Sequence, residues 1–91
     1  MGVHRLAKWR GSVFNGACPA LYSTEDPATM ISQGTKPTSA QMAELLEVAS
    51  DETAVAIPTE TVFRGIAKYA TEHGDEQLAG KIEEFLAARG L

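Results

Sequence analysis

The sequence predicts an α+β fold, a small antiparallel sheet packed by three helices. Two observations carry this. The first half holds short β-prone runs punctuated by turn residues, whereas the second half carries apolar residues at helical spacing between capping signals. The length of 91 residues bounds the answer to one core. At 44% hydrophobic and 22% charged, the chain is neither disordered nor a coiled-coil rod.

Residues 1–12 show no sustained period and read as a basic N-terminal arm, with Trp9 as an anchor; residues 13–91 read as the single domain. Val13-Phe14, Ala20-Leu21-Tyr22 and Thr29-Met30-Ile31 then predict a meander, with strands near 13–22 and 28–33. Asn15-Gly16 is a strong hairpin signal. Ser23 to Pro27 supplies the next turn, since an Asp side chain bonds its own backbone and Pro27 fixes φ. Pro19 cannot donate to a ladder and belongs at an edge or a strand start.

Thr38 and Gln41 have the spacing of a capping box, which opens a helix near 38–50 with Met42, Leu45, Leu46 and Ala49 on its apolar face. Thr53 to Ile57 alternates as a third strand, near 53–57, until Pro58 stops it. A helix near 59–73 follows, with Val62, Phe63, Ile66, Ala67 and Ala70 inward and Gly74 as its left-handed stop. Asp75 caps the last helix, near 75–89, which is amphipathic with the stripe Leu78, Ile82, Phe85 and Leu86.

Charge is distributed unevenly. The net charge is −4, but residues 1–22 contain Arg5, Lys8 and Arg10 and no acid, leaving −7 on the rest. An acidic body repels phosphate, so it does not clamp nucleic acid. The basic arm leaves one alternative open: a nucleic-acid-binding module in which Arg5, Lys8 and Arg10 enter a minor groove. A helix-turn-helix through Gly74 fails on charge, because its second helix presents Glu76, Glu83 and Glu84.

Catalytic and metal chemistry find little support. Cys18 is the single cysteine; His4 and His73 show no dyad spacing with it, so it reads as a packed hydrophobe. One Cys and two His fall short of a zinc site, and no phosphate-binding glycine loop is present. The expectation is therefore no enzyme, no cofactor and no metal. A lone cysteine forms no intrachain disulfide, which favours a reducing cytoplasm. No stretch reaches the roughly 20 apolar residues of a membrane span, and residues 1–11 lack the apolar core of a secretory signal.

The terminal helix leaves two readings open: its stripe packs on the domain's own sheet, or it docks on another chain. In the second reading Trp9, Leu78, Ile82, Phe85 and Leu86 form a partner interface.

Three segments carry a resemblance: Cys18-Pro19-Ala20-Leu21-Tyr22, Ile31-Ser32-Gln33-Gly34, and Asp51 through Pro58. Over roughly residues 17–66 their order and spacing resemble small actinobacterial proteins of the Streptomyces type. Those are encoded beside helix-turn-helix regulators, in neighbourhoods like those of the WhiJ and BldB proteins. The resemblance implies an accessory protein that binds and modulates a DNA-binding regulator, and it supplies no catalytic residue. The resulting expectation is a non-enzymatic interaction module for such a regulator, for a second copy as a homodimer, or for both.

Overall fold

The computed structural model describes residues 2–9 and 19–91. Three strands, β1 (Val3–Lys8), β2 (Ala20–Thr24) and β3 (Met30–Gln33), form an antiparallel sheet in the order β1-β2-β3. Three helices follow: α1 (Ser39–Ala43), α2 (Thr59–Glu72) and α3 (Glu76–Ala88). The α+β architecture thus agrees with the pattern in the sequence, while individual elements shift.

The largest shift is at the N-terminus. The segment read as an arm is in its middle a strand, pairing Val3 with Thr24 and Lys8 with Ala20. Its periodicity is hidden by a bulge. Arg5 pairs with Tyr22 and Ala7 with Leu21, so Leu6 is the extra residue, and it is buried. An alternating pattern interrupted in this way cannot be read as a strand from six residues. β2 is accordingly the central strand, with Pro19 just ahead of it, where a missing N–H costs no ladder bond. Val13-Phe14 and Asn15-Gly16 lie outside the described residues.

The β2–β3 turn forms as its residue types dictate. Asp26 accepts from Ala28 N at 2.9 Å and from Thr29 Oγ1 at 2.9 Å, while Thr24 Oγ1 accepts from Asp26 N. These bonds to the ionised form hold the Asp26 carboxyl below its usual range, the Ala28 bond most strongly.

Two further elements are shorter than predicted. The Thr38–Gln41 capping box is present, yet α1 ends at Ala43 rather than near residue 50. Among the described residues it touches none of the other elements, and Leu46 beyond its end is 96% exposed. An isolated helix of this length has no tertiary contact to offset its nucleation cost. The strand expected near 53–57 is reduced to a single bridge between Ala56 and Thr35. Pro58, two residues further on, has no N–H with which to continue that pairing. The bridge also explains Gly34, because a Cβ there would run into the carbonyl oxygen of Ala56.

The long helices follow their signals closely. The α2 chain reverses at Gly74, φ +86°, where Asp75 N donates to Ala70 O and Gly74 N to Thr71 O. Asp75 then caps α3 by accepting from Leu78 N at 3.0 Å. α2 lies between the sheet and α3. One side, with Thr61 and Gly65, rests on β1 and β2, while Ala67 and Ala70 on another side meet Ala79 and Ile82 of α3. The terminal helix therefore packs on α2 and makes no contact with the sheet.

Candidate interaction surface

Among the described residues the buried apolar side chains are Leu6, Ala20, Leu21, Ala67, Ala70, Ala79 and Leu86. Four of the seven are alanine, so each element brings little volume to the core. The larger apolar side chains stay outside: Trp9, Met30, Ile31, Leu78, Phe85 and Leu91 are among those exposed. Small residues on α2 let the helices and the sheet approach closely, and that closeness leaves the bulky residues on the rims.

The stripe on α3 is split by this arrangement. Leu86 is 1% exposed and belongs to the core, and Ile82 is half-buried against Ala67, Ala70 and Ala79. Both therefore pack within the domain, Leu86 fully and Ile82 in part. Leu78 and Phe85 are 44% and 37% exposed. They sit two turns apart on one side of the helix. The Phe85 ring packs against Phe63 of α2, centroids 5.0 Å apart, and the Arg89 guanidinium lies 3.9 Å above the Phe85 centroid.

On the opposite flank of α3, charge replaces apolar contact. Arg64 of α2 bonds Glu60 at 3.2 Å, lies 3.7 Å from Glu83, and donates to the Leu91 carbonyl oxygen. This network ties the end of α3 down, so the Phe63–Phe85 side is displayed by a fixed helix.

Trp9 stands elsewhere. With Pro19, Thr35, Ala56, Ile57 and Pro58 it lines an apolar hollow of about 420 Å³ at the end of the sheet. Trp9 N donates to Pro19 O at 2.8 Å, which fixes the backbone of the indole. The residues expected to form one interface are thus separated, Trp9 at the sheet and Leu78 with Phe85 on the far helix.

The basic residues of the supposed arm fare differently. Arg5 and Lys8 are exposed on β1, paired along β2; Arg10 lies outside the described residues. A minor-groove arm has to be free of the fold to follow the groove. Val3–Lys8 is held by the ladder and by the bond of His4 to Glu72. Cys18 also lies outside the described residues. Among the described residues no three His, Cys, Asp or Glu side chains gather as a metal site would need, and no helix is long and apolar enough to cross a membrane.

No protein family, curated protein or solved structure matches the chain.

Proposed function

We propose that the protein is a non-enzymatic interaction module of the cytoplasm that binds and modulates a DNA-binding regulator and associates with itself. The observation that carries this reading is the imbalance in burial. Among the described residues the buried apolar side chains are three leucines and four alanines, while Trp9, Met30, Ile31, Leu78 and Phe85 are exposed. Exposed apolar side chains are favourable to cover, and a chain this short gains stability from doing so. The regulator as partner rests on the resemblance described above and on charge. The acidic body suits the basic, DNA-reading face of a regulator, for which it would compete with phosphate.

The test is affinity capture of the tagged chain from nuclease-treated native lysate at low and high salt. The expected result is a helix-turn-helix protein in stoichiometric yield that is lost as salt rises. Recovery of the chain alone would overturn the regulator as partner.

A further inference from the structure

We infer that the excursion of residues 36–55 is the element with which this chain meets its partner, and that it takes a protein surface of one chemistry, an apolar patch set among Lys and Arg side chains. This rests on the interaction reading above and names the segment that carries it.

The excursion is pinned at its base and unsupported beyond it. Thr35 N donates to Ala56 O at 3.0 Å and Ala56 N to Thr35 O at 2.7 Å, and Gly34 lies close against the same Ala56 carbonyl. Past this neck, α1 touches no other element among the described residues, and every residue from 38 to 53 is exposed except the half-buried Met42. The hydrogen bonds there are local. They are the Thr38–Gln41 box and a turn in which Ala49 N donates to Glu52 Oε1 and Glu52 N to Ala49 O. Connections beyond roughly 12–15 residues are uncommon in a compact domain, and binding is a frequent reason for one.

Two properties identify what covers it. Leu45, Leu46, Val48 and Val55 are exposed on the excursion. It also holds the whole acidic excess of the chain. Residues 37–55 contain Glu44, Glu47, Asp51 and Glu52 and neither Lys nor Arg; since the chain has 12 acidic and 8 basic residues, the remainder carries eight of each. Glu44 and Glu47 bracket Leu45-Leu46, and none of the four acids enters an ion pair among the described residues. A surface that covers the leucines therefore draws both carboxylates out of water, and without cations of its own it leaves that desolvation unrecovered. A second copy brings the same acids and no net positive charge elsewhere, while nucleic acid and an anionic bilayer repel the excursion.

The test is titration of the isotope-labelled full chain with a short synthetic amphipathic helix of Leu and Lys, read by amide shifts at low and high salt. The expected shifts fall within residues 38–55 and fade as salt rises. Leu45→Ser/Leu46→Ser should weaken binding about tenfold or more, and Glu44→Gln/Glu47→Gln should weaken it at low salt and flatten its salt dependence. All four positions are exposed and lie past the last residue of α1, and unshifted amides in α2 and the sheet check that the fold is kept. A Ser/Lys peptide of equal charge should bind about tenfold more weakly, because it brings cations without apolar contact. No shift at about 1 mM peptide overturns the proposal. So do equal binding of the Ser/Lys peptide and shifts centred on Glu76, Glu83 and Glu84 of α3. A shift of the excursion on concentrating the chain alone gives the surface to a second copy and likewise overturns it. Regulator capture is a separate readout. A lysate that yields no regulator leaves the titration standing, whereas a regulator captured equally by Leu45→Ser/Leu46→Ser overturns the excursion and leaves the interaction reading intact.

Discussion

His4 Nε2 donates to Glu72 Oε2 at 2.9 Å, joining the first strand to the last turn of α2 across 68 positions of sequence. Glu72 ends the helix face that rests on the sheet, and His4 lies on the side of β1 that meets it. The bond fixes the sheet-to-helix packing from its rim, where both side chains are partly in solvent.

This bond predicts how the fold responds to acid. The hydrogen bond from His4 holds the Glu72 carboxyl below its usual range, and Asp26 is held down by the bonds of its turn. A carboxyl whose folded-state pKa is depressed stabilises the fold above its ordinary range, about pH 4–4.5, and this is lost as pH falls through the folded value. Urea midpoints measured from pH 6 down to pH 3 should therefore fall. The fall should be shallower in Glu72→Gln and in Asp26→Asn, each of which removes one titrating group. Slopes equal to that of the wild type would show that these bonds do not outlast solvent exchange.

Leu86 and Phe85 are neighbours in sequence with opposite duties. Leu86→Ala empties a fully buried site between α2 and α3 and should cost about 2–4 kcal/mol. Phe85→Ala removes a ring that packs on Phe63 from the surface, and its cost should be under about 1.5 kcal/mol. Denaturant unfolding of both variants separates the two roles. Equal losses would place Phe85 in the core.

The two helical glycines should respond to alanine in opposite directions. A Cβ on Gly65 would stand 2.5 Å from Leu21 Cδ2 and 3.1 Å from its Cβ, whereas nothing lies within 4 Å of one on Gly80. Gly80→Ala should gain about 0.5–1 kcal/mol from lower backbone entropy alone. Gly65→Ala receives the same gain but pushes α2 off the sheet, for a net loss of about 1–2 kcal/mol. If both variants are stabilised, Leu21 yields more readily than its burial implies.

The parts of this fold that are legible in sequence are those set by local chemistry. The Thr38–Gln41 box, the Asp26 turn, the stop at Gly74 and the Asp75 cap each depend on atoms a few residues apart, and all four form. What escaped depends on partners. Leu6 is buried because a bulge turns it inward, and β1 is a strand because β2 is beside it. Met42, Leu45 and Ala49 promise a longer helix, but among the described residues no other element touches α1. For the interaction surface, the spacing of Leu78, Ile82, Phe85 and Leu86 identified the helix. It could not say which two residues α2 would take, because Ala67 and Ala70 decide that.

Thr61 offers the sharpest test of the sheet-to-helix packing. It sits in the first turns of α2, 1% exposed, and its Oγ1 is buried without a hydrogen-bond partner. A hydroxyl that leaves water and pairs with nothing carries its desolvation cost unrecovered. Thr61→Val keeps the branched shape and removes that group, so the variant should be more stable by about 1 kcal/mol. Helix propensity is nearly equal for the two residues and does not contribute to the difference. The urea midpoint of the variant against the wild type reads the effect directly, with an unchanged slope confirming the same folded state. A destabilised variant would mean that the hydroxyl is bonded in solution, and that the contact of α2 with β1 and β2 is wetter than its small residues suggest.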